Sequence, residues 1–130
     1  MFVDTSAIIS IICREDDHLE LLGRAQGAET LVTSGLVLFE ASMRISTMFA
    51  EHPQHSCEAI AALLDELGVA IVPIERGDGE MAVQAFAKYG KGGGHPARLN
   101  LADCLSYACA KGRGLPLLYK GNGFAQTDLG

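Results

Sequence analysis

Short apolar stretches alternate with helical segments along the whole chain, and this alternation restricts the possible folds more than any other feature. We predict strands at residues 2–4, 30–34, 69–74 and 116–120, and helices at 6–14, 18–25, 36–51, 56–67, 79–89 and 101–111. Strands that alternate with helices are typical of an α/β layered fold with a parallel sheet. The 130 residues suffice for one packed core, so we expect a single domain over 1–130.

Charge and hydropathy exclude several classes of function. The formal net charge of −6 argues against binding nucleic acid through a broad basic surface, but it allows an acidic site that handles phosphates through a divalent metal. No apolar run is long enough to span a membrane, so no membrane association is expected. The N-terminus has no basic segment and carries Asp4, so it does not resemble a signal peptide, and we expect a cytoplasmic protein.

Three acidic residues lie in apolar surroundings near predicted strand ends: Asp4, Glu40 and Asp103. Each also has a purely structural interpretation. Asp4 can cap the first helix, Glu40 can pair with Arg44 one turn later, and Asp103 can form a capping box with Asn100. The sequence leaves these alternatives open for each residue taken alone.

Taken together, the three acids favour a metal site. Ligands gather at the carboxyl ends of parallel strands, which would bring these side chains to one edge of the sheet. Three carboxylates would repel one another there unless a hard cation such as Mg²⁺ or Mn²⁺ were bound between them. Such a cation can polarise a phosphodiester and activate a water molecule.

Five motifs follow one another along the chain: VDTSA at 3–7, FEA at 39–41, YGKG at 89–92, LNLADCLSYA at 99–108, and LLYKG at 117–121 with Phe124 and Thr127-Asp128 after it. In this order they resemble the PIN-domain ribonucleases, and specifically the VapC-type toxins of bacterial toxin–antitoxin pairs. The resemblance runs over nearly the full chain, and its specificity comes from the order and spacing of the motifs.

The resemblance implies a PIN-like three-layer α/β/α sandwich around a central, mainly parallel sheet. It implies an endoribonuclease that depends on Mg²⁺, with Mn²⁺ as a possible substitute, and whose acidic catalytic residues are Asp4, Glu40 and Asp103. Asp4 and Asp103 would ligate the metal directly, and Glu40 would coordinate it or orient a water molecule. The implied partners are RNA, a second copy of the chain and a VapB-type antitoxin, with DNA bound only through that antitoxin.

The last motif departs from the pattern of this family. Gly123 occupies the place before Phe124 where many members carry an acid. Asn122 offers a neutral oxygen nearby, and Asp128 is a second candidate from the following loop. The loss of an anionic ligand weakens the binding of a second metal ion more than that of the first. We therefore expect one metal ion or a weakly bound second one.

Local basic patches would be needed to guide RNA over so acidic a chain. The candidates are Lys88, Lys91 and Arg98 around the glycine-rich loop at 90–96, and Arg44, Lys111, Arg113 and Lys120 elsewhere. The glycine-rich loop lacks the order of a P-loop and is expected to be a connection between helices.

Other acid-bearing α/β folds fit less well. A receiver domain needs an acidic pair after its first strand and a phosphoacceptor after its third, and a haloacid-dehalogenase-type phosphatase needs Asp-x-Asp where Ser6 stands. The remaining alternative is a catalytically weak PIN module that acts mainly as the antitoxin-binding component of a DNA-binding repressor complex. The Gly123 departure is what keeps this alternative open.

Overall fold

Four parallel strands form the central sheet, in the order β3-β2-β1-β4. The computed structural model describes all 130 residues. The strands are β1 (Phe2–Val3), β2 (Leu31–Ser34), β3 (Val69–Val72) and β4 (Leu117–Leu118). Every pairing is parallel, as the alternation of strands and helices predicts. The carboxyl ends of the strands therefore lie at one edge of the sheet.

Six helices connect and cover these strands, in the α/β/α arrangement that the resemblance implies. They are α1 (Thr5–Cys13), α2 (His18–Gln26), α3 (Gly35–Phe49), α4 (Pro53–Leu67), α5 (Arg76–Tyr89) and α6 (Leu101–Gly112), and a short 3-10 helix spans Phe124–Gln126. None of the helices combines the length and apolar character needed to cross a membrane.

Burial in the core fixes the two shortest strands, β1 and β4. Phe2, Leu117 and Leu118 are almost fully buried, and Ile8 of α1 and Ile60 of α4 are among the other large side chains closed off from solvent. Each such side chain contributes roughly 1.5–3 kcal/mol through burial. Leu118 Cα pairs in register with Val3, and the Asp4 amide donates to the Leu118 carbonyl at 3.0 Å. The residue that follows β1 is thus held directly by the neighbouring strand.

Two helices begin three residues earlier than the periodicity predicts, because capping extends them. Helix α4 was predicted from residue 56 but starts at Pro53, where the His52 side chain accepts from the Gln54 amide and proline occupies the first turn. Helix α5 was predicted from residue 79 but starts at Arg76, after a capping box between Glu75 and Asp78. The predicted strand at 116–120 shortens to two residues.

The loop before α6 is attached to the end of α5, which places the first turn of α6. Gly90 and Leu99 form an isolated parallel bridge, and the Leu99 amide donates to the Tyr89 carbonyl at 2.9 Å. A Cβ atom at Gly90 would lie 2.3 Å from the Phe86 carbonyl oxygen, so only glycine fits this close passage. Asn100, the N-cap of α6, follows directly from this bridge.

Candidate active site at the carboxyl ends of the strands

A cavity of about 190 Å³ opens at the edge where β1 and β4 end. Its walls are mostly polar, since only Leu99 and Phe124 among thirteen lining residues are hydrophobic. Asp4, Glu40 and Asp103 all line it. The three acids selected from the sequence therefore meet in one cavity, although they are far apart along the chain.

Asp4 is buried at the junction of β1 and α1, with 4% of its surface exposed. Its Oδ2 atom accepts two hydrogen bonds from Ser6, one from the amide at 3.0 Å and one from the hydroxyl at 2.7 Å. This is the helix cap considered as a structural role, and it is present. The cap uses only one carboxylate oxygen, so Oδ1 carries charge that no neighbour in this hydrogen-bond set neutralises.

Ser6 links Asp4 to the chain after β4. Its hydroxyl oxygen accepts from the Lys120 amide at 3.0 Å while donating to Asp4. The Lys120 ammonium is itself fixed between Glu15, Asp16 and Asp17, at 3.1 to 3.3 Å from each. A relay of hydrogen bonds thus sets the rotamer of Asp4 from a residue more than a hundred positions away.

Glu40 lies in the second turn of α3 and is half-buried. The ion pair with Arg44 considered from the sequence is not formed, because no carboxylate lies within 4.0 Å of the Arg44 guanidinium. Both side chains instead border the cavity. An ion pair with Arg44 therefore does not explain why Glu40 lies in the cavity.

Asp103 forms the predicted capping box at the start of α6. Its Oδ2 accepts from the Asn100 amide at 3.0 Å, and its own amide donates to Asn100 Oδ1 at 2.9 Å. Burial raises the pKa of Asp103 to about 6, the Asn100 amide opposes this, and the charges of Asp4 and Glu40 raise it further. The carboxylates thus repel one another, and a bound cation would relieve that repulsion.

The oxygen atoms around the cavity suit a hard divalent cation. No three acidic, histidine or cysteine side chains come close enough to enclose an ion by themselves. This is compatible with Mg²⁺, which commonly uses one or two carboxylates and keeps several water molecules. The Thr5 hydroxyl is buried beside the cavity and has no hydrogen-bond partner, so an oxygen is available there for bound water. The available atoms fit such a metal.

The two substitutes considered for the missing fourth acid behave differently. Asn122 and Gly123 both line the cavity, whereas Asp128 does not. Asp128 accepts from the Tyr107 hydroxyl and from Lys111, each at 2.6 Å. These bonds hold the pKa of Asp128 below its usual range and tie the C-terminal segment to α6. Asp128 therefore has a structural partner set of its own and does not complete the acidic wall.

Sequence reasoning missed the roles of Thr5, Ser6 and Lys120 in this cavity. The sequence placed Thr5 and Ser6 in the motif at 3–7 and offered Lys120 as a cation for RNA. The available signal was their position, since each lies within three residues of the end of β1 or β4 and so belongs to the same edge of the sheet.

Two exposed apolar hollows flank the cavity and share Leu101. One lies between α5 and α6 and contains Val83 and Phe86, and the other lies beside α3 and contains Phe39 and Met43. These five side chains are 49% to 73% exposed. Contiguous apolar surface of this kind is typical of a contact with another protein.

Comparisons with known proteins agree with this architecture. A family model described as "PIN domain" matches residues 1–129. A VapC ribonuclease of Rhizobium meliloti (strain 1021) is 41% identical, over 99% of this chain and 99% of that protein. The ribonuclease VapC28 of Mycobacterium tuberculosis is 38% identical, over 99% of this chain and 95% of its own.

A solved structure shows the same fold at lower sequence identity. The crystal structure of Mycobacterium tuberculosis VapC20, described as a sarcin-ricin loop cleaving toxin, superposes with a TM-score of 0.72. The match covers 95% of this chain and 92% of VapC20, at 21% identity. The fold predicted from the alternation of elements and from the motif resemblance is confirmed.

Proposed function

The chain belongs to the PIN-domain family, and from that membership we propose that it is a divalent-metal-dependent endoribonuclease, the toxin of a type II toxin–antitoxin pair. The observation that carries the proposal is the convergence of Asp4, Glu40 and Asp103 on one polar cavity at the carboxyl ends of the strands. Full-length relatives named as VapC ribonucleases support it.

Asp4 and Asp103 are the proposed direct ligands of one Mg²⁺ or Mn²⁺ ion. In both, Oδ2 is occupied by hydrogen bonds to backbone or hydroxyl groups, so Oδ1 is the atom available to the ion. The ion, when bound, supplies positive charge that polarises the phosphodiester and lowers the pKa of a bound water. The Thr5 hydroxyl and Asn122 offer neutral oxygens for water around it.

Glu40 is the proposed partner of the attacking water. It lines the cavity with the two capped acids, and its carboxylate suits a base that accepts the proton of that water while the water oxygen bonds to phosphorus. Hydrolysis then breaks one P–O ester bond and leaves a hydroxyl on one RNA fragment and a phosphate on the other. No fourth carboxylate is required, which agrees with a single tight metal ion.

The proposed partners are a VapB-type antitoxin and a second copy of the chain, with DNA bound only through the antitoxin. The hollows that share Leu101 supply apolar surface for these contacts, and one of them also borders Glu40. A basic antitoxin side chain entering the acidic cavity would block the metal site. The proposed place of action is the cytoplasm, where the RNA is found.

Expression of the chain without an antitoxin tests the proposal. We expect growth arrest that Asp4→Asn abolishes, and cleavage of RNA by the purified protein that EDTA stops and Mn²⁺ restores. Asp4→Asn is the informative change because its side chain can still accept the Ser6 hydrogen bonds. Absence of arrest, or arrest unchanged in Asp4→Asn, Glu40→Gln and Asp103→Asn, would instead favour the catalytically weak, antitoxin-binding module.

A further inference from the structure

Two basic side chains line the acidic cavity, and only one of them is free. Lys120 is held by three carboxylates of the α1–α2 turn at 3.1 to 3.3 Å, and these neighbours raise its pKa. Arg44 has no carboxylate within ion-pair distance, although it shares the cavity with Asp4, Glu40 and Asp103. Arg44 is thus the one unpaired cation of the cavity.

The basic residues elsewhere are either paired with an acid or lie outside the cavity. Lys111 is paired with Asp128 at 2.6 Å, and Arg113 with Asp78 at 2.9 Å, so neither offers free charge to a ligand. Lys88 lies 5.0 Å from the centre of the Tyr89 ring and does not line the cavity. Among the cations that the sequence offered for RNA, Arg44 alone is both unpaired and part of the acidic cavity.

The guanidinium is also close enough to act on Asp103, one of the proposed metal ligands. Its charge lowers the pKa of Asp103, against the effects of burial and of the other two acids. A guanidinium carries five N–H donors in a planar fork that matches the oxygens of a phosphate. An exposed arginine that stays unpaired beside three carboxylates retains those donors for a ligand.

We propose that Arg44 binds the phosphodiester group of the RNA that enters this cavity, donating to its non-bridging oxygens and stabilising the added negative charge as water attacks. This inference rests on the proposed ribonuclease function and adds a substrate-binding residue to it. Asp4 and Asp103 would hold the cation at the phosphate, and α3 would supply Arg44 beside them. The negative side chains of the cavity then serve the cation, and its unpaired positive side chain serves the phosphate.

Opposite effects of Arg44→Ala on Mn²⁺ affinity and on RNA cleavage would distinguish this role from a structural one. Removing a positive charge near the carboxylates cannot weaken their attraction for a cation, so Arg44→Ala is expected to bind Mn²⁺ as tightly as the wild type or more tightly. The same change is expected to lower the rate of RNA cleavage by about 100-fold, the usual effect of losing one transition-state donor. A loss of local structure would weaken both.

The experiment combines calorimetric titration with Mn²⁺, cleavage kinetics, and binding of a fluorescein-labelled single-stranded RNA in EDTA over a range of salt. In the binding assay, the slope of log affinity against log salt is expected to fall by about 0.7 in Arg44→Ala, the value for one phosphate contact. Arg44→Lys keeps the charge without the fork and should recover the slope but only part of the rate. Arg24→Ala is the matched control, since Arg24 is exposed on α2, makes no ion pair and lies outside the cavity.

The outcomes separate this inference from the proposed function. If the wild type fails to cleave RNA with Mn²⁺, the ribonuclease proposal fails. If the wild type cleaves RNA and Arg44→Ala matches it in rate and salt slope, the inference is wrong and the ribonuclease proposal stands. Weaker Mn²⁺ binding in both Arg44→Ala and Arg44→Lys would also overturn it, because Arg44 would then act by supporting the metal site.

Discussion

Two groups of three acids lie near each other in this molecule, and only one of them has its counter-ion supplied by the chain. Glu15, Asp16 and Asp17 in the turn between α1 and α2 surround the Lys120 ammonium. The cavity acids Asp4, Glu40 and Asp103 have no basic side chain within ion-pair distance. The relay through Lys120 and Ser6 connects the two groups.

The difference separates acids with a structural partner from acids that are candidates for a functional role. The paired Asp17 has a lowered pKa, through its bond from Ser10 and its contact with Lys120. The unpaired and partly buried Asp103 has a raised pKa. The cavity therefore holds carboxylates and an arginine that do not pair with each other. A cation could pair with the carboxylates, and a phosphate could pair with the arginine.

The largest expected difference between the two groups is in the rate of RNA cleavage after one acid of each is neutralised. Glu40→Gln should lower RNA cleavage by 100-fold or more, about the loss typical of a general base. Asp16→Asn should leave cleavage unchanged, because its side chain is 92% exposed and Lys120 keeps two other partners. Rates measured on a common RNA substrate with Mg²⁺ check the contrast. Equal losses in both variants would show that the groups do not differ in function.

Metal should stabilise the wild type through the cavity group alone. At about 100 times Kd, a bound ion adds about 2.7 kcal/mol to the free energy of unfolding. Thermal unfolding of the wild type and of Asp103→Asn, each with Mg²⁺ and with EDTA, measures this difference. We expect Mg²⁺ to raise the Tm of the wild type only, and Asp103→Asn in EDTA to exceed wild type, because repulsion is relieved while the capping oxygen remains. A mutant that is less stable in EDTA contradicts the repulsion.

Asp103 should make the protein less stable as the pH rises, whereas a carboxyl group with a lowered pKa does the opposite. Its pKa is raised to about 6 in the folded protein, so the folded state binds the proton more tightly than the unfolded chain. In EDTA, the free energy of unfolding should therefore fall by about 1 kcal/mol between pH of about 4 and about 7, allowing for solvent that reaches this half-buried group. RNA cleavage at limiting Mg²⁺ should rise over the same range as the carboxylate forms.

Urea unfolding of the wild type and Asp103→Asn in parallel isolates this group from other acids. The stability difference between the two proteins should grow in favour of Asp103→Asn as the pH rises in EDTA. Saturating Mg²⁺ should remove the trend, since the ion binds the ionised form. A difference that does not change with pH would mean that Asp103 titrates normally.

The smallest expected effect comes from removing the counter-ion of the turn. In Lys120→Met, the three turn acids lose their partner, but they are partly or largely solvent-exposed, so Tm should fall by only a few degrees. The Lys120 amide remains, and with it the hydrogen bond to Ser6 that orients Asp4. Mn²⁺ affinity by calorimetry should therefore stay close to wild type. A marked loss of Mn²⁺ binding would show that the side chain, rather than the amide, maintains the relay.

The sequence by itself determined the fold and selected the three acids that meet in the cavity. The alternation of strands and helices predicted the parallel sheet, since these periodicities depend on local backbone geometry. The motif resemblance selected Asp4, Glu40 and Asp103, and all three line one cavity. Capping at Asp4 and at Asp103 was also readable, because a cap involves residues two or three positions apart.

Only the tertiary structure decided which charges are used and which are free. Lys120, Lys111 and Arg113 looked equivalent to Arg44 in sequence, yet each is paired with an acid that lies between 17 and 105 positions away. Glu40 and Arg44 have ideal spacing for an ion pair and do not form one. Pairing depends on where the packed sheet and helices place side chains that are remote along the chain, and local spacing carries no information on that.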